Sequence, residues 1–309
     1  MLNKEEILTS GKIFNPAAKI YANADRVIDY LDDKNPAPVL VEIDPSNTCN
    51  HGCSFCISSY IHLPESKNLE TYDKTVMPRD ILLGACKDFV DMGVRAINWT
   101  GGGEPTINKH LKEAIAYIGE NSDIKMGIFT NGTLLDRWDM FETMVDNMTW
   151  VRFSIDAGTP ETYNNIRRAK GNQGWDKMVS NLNKLIKVNK DKGKKIGIGV
   201  GFVITPDTCH EVVDFAKFFA DVDVDYCQYK PEIVNRERED GVQRDLDFWN
   251  KNVEPQLDAA KEILGHKFQI NGYKLSDLIE DRSLFGRRYK KCMGSQVQPC
   301  VGADGNVYV

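Results

Sequence analysis

The sequence predicts an α/β protein built on a parallel sheet, and three observations carry that prediction. Six β-type runs alternate with helical segments through the middle of the chain. The helical segments have the length that right-handed crossovers between parallel strands need. Each polar or glycine-rich motif falls just after a β-type run, at its carboxyl end, where both doubly wound sheets and barrels place their sites. An open sheet and a barrel satisfy this pattern equally.

The elements follow in order after an N-terminal extension, residues 1–37. Val39–Ile43 is the first short run, closed by Asp44-Pro45. Met77-Pro78-Arg79-Asp80 opens a helix with proline near its first turn. Ile81, Leu82, Ala85, Cys86, Phe89 and Val90 share one face of it, and Gly93 closes it. The cycle then repeats: strand Ala96–Trp99, helix His110–Gly119, strand Lys125–Thr130, helix Leu135–Val145, strand Trp150–Ile155. Helix Trp175–Val188, strand Ile196–Ile204, helix His210–Ala220 and strand Asp225–Pro231 complete it. The charged stretch Asn235–Asp245 reads as a solvated connection, which sets a domain boundary near residue 236 between 38–235 and 236–309. Beyond it come an amphipathic helix (Phe248–Leu264), a short strand (Phe268–Ile270) and a cysteine-containing tail. In that tail, Asp304-Gly305 between β-prone runs signals a hairpin.

With 309 residues, 41% hydrophobic and 27% charged, the chain can bury a large core. No apolar run is long enough to span a bilayer, and the acidic amino terminus lacks the apolar core of a secretory signal. A cytoplasmic protein with no membrane partner is expected, whose 8 cysteines act as ligands and buried thiols rather than disulfides. A net charge of −6 with dispersed Lys and Arg argues against a nucleic-acid partner.

The densest chemistry is the run Cys49-Asn-His-Gly-Cys53-Ser-Phe-Cys56. A disulfide fits poorly, because Cys53 and Cys56 are too close in sequence to pair without strain and one thiol is left over. Structural zinc needs four closed ligands, and His51 falls inside the loop. Three thiolates at this spacing can hold a four-iron cluster with one iron free of protein ligands. That iron is where a cofactor or substrate binds. On spacing alone, zinc and iron–sulfur both stand.

Three further motifs share the strand-end rim. Thr100-Gly101-Gly102-Gly103-Glu104-Pro105 lets a ligand approach the main chain, whose carbonyls can accept from an ammonium group. Thr130-Asn131-Gly132-Thr133 is a tight polar turn. Ser154-Ile-Asp156-Ala-Gly158 offers Asp156 to ribose hydroxyls, and Arg167 or Arg168, a helix length later, can pair with a carboxylate. An ammonium acceptor, a ribose partner and a carboxylate partner beside a cluster suit an amino-acid-like nucleoside.

In this order the cysteine loop, GGGEP, TNG and SIDA resemble the radical S-adenosylmethionine (SAM) family, over roughly Pro38 to Pro231. The resemblance implies an α/β fold, a partial (β/α)6 TIM-like barrel with a small C-terminal SPASM/twitch-like extension. It implies a [4Fe–4S] cluster on Cys49, Cys53 and Cys56, with SAM on the open iron. Gly102, Gly103 and Glu104 would hold the SAM ammonium, and Phe55 would flank the adenine. Asn131, Ser154 and Asp156 would contact SAM, Arg167 its carboxylate, and Ile204 with Thr205 would border the adenine. An external one-electron donor such as flavodoxin or ferredoxin is implied.

The tail resembles the start of a SPASM or twitch module, which carries auxiliary iron–sulfur clusters. Cys292 and Gly305 fit its spacing, and the next cysteine would fall one position beyond Val309. Cys292 is the candidate auxiliary ligand, with Cys300 behind it. Cys86 reads as core. Cys209, after the fifth strand, and Cys227, in the sixth, are candidate hydrogen-atom donors for an epimerisation, and Lys230 is a candidate substrate contact. The resulting expectation is an oxidoreductase- or epimerase-type radical SAM enzyme acting on an unactivated C–H bond of a small sugar-like molecule. Peptide maturation is the alternative, and a non-catalytic metal-binding or electron-transfer protein is a more distant one. The relative that makes a cyclic pterin precursor from GTP fits less well, because its tail cysteines are spaced differently.

Overall fold

The computed structural model describes residues 22–56, 58, 74–169, 173–232, 248–270 and 294–308. The boundary placed near residue 236 and Cys292 lie outside them. Six strands succeed one another in sequence order, each parallel to the last: β1 (Leu40–Ile43), β2 (Ala96–Trp99), β3 (Lys125–Thr130), β4 (Trp150–Ser154), β5 (Gly197–Ile204) and β6 (Tyr226–Pro231). β7 (Phe268–Ile270) adds parallel to β6, while β8 (Cys300–Val301) adds parallel to β1 and turns back into antiparallel β9 (Val307–Tyr308). The resulting order, β7-β6-β5-β4-β3-β2-β1-β8-β9, is a partial barrel whose two margins are extended by segments beyond residue 236.

The crossovers are helical. After α1 (Ala24–Leu31) come α2 (Arg79–Met92), α3 (Leu111–Asn121), α4 (Phe141–Asn147), α5 (Pro160–Arg167), α6 (Gly174–Asp191), α7 (Val212–Ala220) and α8 (Glu254–Leu264). Pro78 stands at the start of α2, and Gly93, with φ of 71°, ends it in the left-handed conformation that suits glycine. The predicted helix over 135–145 is broken into a 3-10 turn (Asp136–Trp138) and α4, because Asp139 takes a left-handed conformation between them. Helix α5 was not anticipated. Its signature is Thr159, whose hydroxyl accepts from Thr162 N, followed by Pro160 in the first turn.

Alternation along the strands divides the molecule into two environments. Residues such as Val41, Ile97, Ile128, Val151, Val200 and Tyr229 face the helices and are fully buried. Their neighbours in sequence, Glu42, Phe129, Arg152, Gly201, Gln228 and Lys230, line a cavity of about 710 Å³ inside the sheet's curve. On the helix side an aromatic cluster joins α7 to β5 and β6. Phe215 lies 5.0 Å from Phe202, 5.5 Å from Tyr229 and 4.7 Å from Phe219 by ring centroids, and the Tyr229 hydroxyl donates to Val212 O at 3.0 Å. Phe215→Ala leaves a void in this cluster and is expected to cost about 3–5 kcal/mol. Urea denaturation checks it, and a change below about 1 kcal/mol would show that the cluster does not stabilise the barrel.

The predicted hairpin at Asp304-Gly305 forms, with Gly305 at φ 80°. It brings Asp304 toward Asp44 at the end of β1. Burial holds the Asp44 carboxyl up to about 6 against a hydrogen bond from Gly102 N, and the charges of Glu42 and Asp304 add to the rise. A carboxyl raised on folding favours the fold when protonated. Its contribution is therefore complete below about pH 4 and is lost as pH rises through about 6. Asp44→Asn is expected to flatten the stability profile between those limits, as read by thermal unfolding at a series of pH values. An unchanged profile would place its source elsewhere.

Candidate active site

The cysteine loop leaves β1 with little regular structure, so its backbone groups find partners on other elements. Gly52 N donates to Arg167 O and Ser54 N to Ile166 O, both at 3.0 Å, fastening the loop to the end of α5. Asn50 is held by Asn131 Nδ2 at 2.9 Å and donates to Thr133 Oγ1 at 2.8 Å, fastening it to the turn after β3. Glu104 N donates to Thr48 O at 3.0 Å and Gly103 N to Ser46 O at 3.2 Å, fastening it to the turn after β2. A Cβ at Gly103 would lie 2.1 Å from Thr48 O, so this approach requires glycine. Cys49, Cys53 and Cys56 consequently line one cavity together with Phe55, Gly102, Gly103, Glu104, Asn131, Ser154, Asp156 and Arg167. Every cofactor-site residue expected from the sequence is brought there except Ile204 and Thr205.

Glu104 organises the rim. Its Oε1 accepts from Thr106 N (3.2 Å), Thr106 Oγ1 (2.6 Å) and Thr130 Oγ1 (2.6 Å), and its Oε2 from Asn131 N (2.7 Å). Complete burial raises the carboxyl's pKa, and these donors oppose the rise. Oε2 keeps capacity for one more donor from the cavity.

Asp156 and Arg167 do not stand free for a ribose and a carboxylate, as the sequence had implied. They pair with each other, both buried, through Arg167 Nη2 and Asp156 Oδ2. Asp156 Oδ1 also accepts from Val203 N at 2.6 Å, and Arg167 Nε reaches Ile155 O at 3.3 Å. Arg167 Nη1 points at Cys53 Sγ, 3.4 Å away, and the guanidinium lies 5.7 Å from the Phe55 ring centroid. The arginine thus brings positive charge to a thiol. Behind this pair Glu211 accepts from Gly158 N (2.7 Å), Thr159 N (3.2 Å) and Thr159 Oγ1 (2.5 Å), holding the turn after β4.

Four expectations move. Ile204 faces the helices and is 3% exposed, while its neighbour Val203 lines the cavity, because one residue along a strand reverses the face. Cys227 is likewise on the helix side, fully buried, its thiol pushed up to about 12 by that burial. Cys209 sits in the 3-10 turn before α7, within 3.6 Å of Pro206 O. Neither thiol lines the cavity, so neither is placed to return a hydrogen atom to a substrate there. Cys300 pairs with Glu42 across β8 and β1, and burial, with Asp44, Glu42 and Asp304 nearby, pushes its thiol to about 12. Those acidic surroundings work against a thiolate ligand. Arg152 and Gln228, in contrast, were passed over and lie in the cavity. Their signal was alternation, since each is a polar residue flanked by apolar ones that face the core.

The donor set suits an iron–sulfur cluster. Among the described residues no three His, Cys, Asp or Glu side chains are close enough together to hold one metal ion. Three thiols lining one cavity fit a group that carries several irons. Burial, with the nearby Glu104 charge, pushes the Cys49 thiol up to about 12, and burial also raises Cys56; a bound cationic group would favour their thiolate forms.

A sequence profile described as the Radical SAM superfamily matches residues 43–216, more than half of the chain. The chain belongs to the radical SAM superfamily. That family uses a [4Fe–4S] cluster and SAM. The Molybdenum cofactor biosynthesis protein 1 of Dictyostelium discoideum is 26% identical over 235 residues, covering 72% of this chain and 35% of that protein. A GTP 3',8-cyclase of Hydrogenovibrio crunogenus is 29% identical over 145 residues, covering 47% of this chain and 39% of that enzyme. The chain therefore spans little more than a third of the length of these relatives. Streptococcus suis SuiB bound to S-adenosylmethionine shares the fold, with a TM-score of 0.62 at 17% identity, over 92% of this chain and 63% of that one. No helix among the described residues is long and apolar enough to cross a membrane.

Gly103→Ala tests the rim as a cluster support in this radical SAM chain. The added methyl must push Thr48, and with it the cysteine loop, out of place. After anaerobic reconstitution, iron content per chain is expected to fall severalfold while circular dichroism stays that of the wild type. Wild-type iron content would show that the close approach is dispensable.

Proposed function

We propose that this protein is a radical SAM enzyme acting on a small phosphorylated substrate of the nucleotide class. The observation that carries the reading is the convergence of Cys49, Cys53 and Cys56 with the glycine rim and the end of β4 on one cavity. Cys49, Cys53 and Cys56 would ligate three irons. Bound there, a [4Fe–4S] cluster with SAM would supply one-electron chemistry, the reductive cleavage of SAM to methionine and a 5′-deoxyadenosyl radical that would take hydrogen from an unactivated carbon.

The chain's own residues bind, orient and shield. The carbonyls of Gly102 and Gly103, with Glu104 Oε2, would accept from the SAM ammonium, while Asn131 keeps the cysteine loop in register with them. Ser154 and Phe55 would border the nucleoside, with Val203 in place of Ile204. Arg167 stabilises negative charge at Cys53, and Asp156 fixes its direction. Held at strand ends, these groups keep the reacting carbon close to the radical and away from side reactions. An external flavodoxin- or ferredoxin-type donor would supply the electron. The nucleotide class is supported by the GTP 3',8-cyclase relatives and by Arg152 and Lys230 on the cavity wall.

The test is anaerobic reconstitution with iron and sulfide, then dithionite, SAM and fully deuterated GTP. Formation of 5′-deoxyadenosine that carries deuterium is the expected result. No SAM cleavage by a cluster-loaded protein would sink the enzymatic reading. Cleavage with deuterium arriving from a labelled peptide or sugar, and never from GTP, would overturn the substrate class.

A further inference from the structure

Arg152 projects from the middle of β4 into the cavity. Across β5 stands Gln228 of β6, 2% exposed, and its Oε1 accepts from Arg152 Nη1. Gly201 of β5 lies between them, and a Cβ there would already touch Arg152 Nε at 3.6 Å. On its other side the guanidinium is stacked over the Phe129 ring, 4.1 Å from the centroid. These contacts fix its direction.

They do not neutralise its charge. A guanidinium inside a fold is ordinarily matched by a carboxylate, because an unpaired buried charge is costly. Here the directly bonded acceptor is a neutral amide, and among the described residues Arg152 makes no ion pair. Asp156 is near enough for its charge to be felt, but it is committed to Arg167. The amide in turn spends its oxygen on Arg152, and its buried Nε2 has no hydrogen-bond partner among the described residues. Two side chains on the same cavity wall thus present donors that no carboxylate among the described residues accepts. An arginine held flat beside an amide donor matches the several acceptor oxygens of one anionic group.

We propose that Arg152 and Gln228 bind an oxyanion of the substrate, a phosphate or a carboxylate, and so anchor it inside the barrel with its reacting carbon toward the cysteine loop. The proposal rests on the cavity being the substrate site of a radical SAM enzyme. It deepens that reading by naming the groups that select the substrate. Arg152 is a specificity residue here: it carries the charge, Gln228 adds a donor and holds the fork in plane, and Phe129 sets its course.

Inorganic pyrophosphate and malonate serve as probes, titrated by calorimetry into the cluster-loaded protein with SAM present. The wild type is expected to bind at least one of them, and Arg152→Gln to lose about tenfold or more in affinity. Arg152→Lys keeps the charge without the fork and should fall between them, while Gln228→Leu should weaken binding severalfold. Thermal unfolding of each variant verifies its fold. Preference for pyrophosphate identifies a phosphate as the group held, and preference for malonate a carboxylate. Failure of both anions to bind the wild type at tens of millimolar, or equal binding by wild type and Arg152→Gln, overturns the proposal. SAM cleavage by the same preparation separates the two readings. Anion binding that depends on Arg152 without any 5′-deoxyadenosine would leave the anion site standing and remove the radical chemistry. 5′-Deoxyadenosine formation with binding indifferent to Arg152 would do the reverse.

Discussion

The buried pair of Asp156 and Arg167 is the constraint on which the site depends. Two opposite charges removed from water are tolerated only when further hydrogen bonds complete their shells, and here those bonds run to three different elements. Val203 N ties Asp156 to β5, Ile155 O ties Arg167 to the turn after β4, and Cys53 Sγ ties Arg167 to the cysteine loop. Breaking either half would strand its partner's charge and release the loop from the barrel. The chain thus uses an ion pair less for stability than to set the direction of one guanidinium.

Glu104 plays the corresponding part on the opposite side of the cysteine loop. Its four accepted hydrogen bonds join the turn after β2 to the turn after β3, and Asn131 carries the connection on to Asn50. The loop is therefore clamped by an acidic centre on one flank and a basic one on the other. Each centre is buried and hydrogen-bonded to more than one element, so little rearrangement is open to either.

Much of this was legible in the sequence, and the losses have physical reasons. The runs Ala96–Trp99 and Lys125–Thr130 were bounded by turn residues and form β2 and β3 without shift. The three cysteines and the GGGEP and TNG turns also meet where expected. The assignment of faces was less secure, because alternation has a period of two and one step exchanges cavity for core. That is why Ile204 stood for Val203 and why Cys227 looked accessible. Side-chain partnerships were invisible for a different reason: nothing in SIDA or in Arg167 states that the two will satisfy each other. Arg152 and Gln228 were missed because a lone polar residue in a strand has no spacing motif to mark it. Helix α5 was missed because eight residues give a weak periodic signal, although Thr159-Pro160 marked its start.

The C-terminal hairpin changes the standing of the first strand. By pairing with β1 on the side away from β2, β8 converts what would be a sheet margin into an interior position. Margins fray and recruit other chains, whereas interior strands open only with the body of the fold. The segment that delivers the cysteine loop is thereby bonded on both sides. Glu42 meets Cys300 and Ile43 meets Val301, one rung before the chain turns toward Cys49. The tail and the cysteine loop therefore share a single strand as their common footing, and any movement of one is felt by the other across a single row of backbone hydrogen bonds.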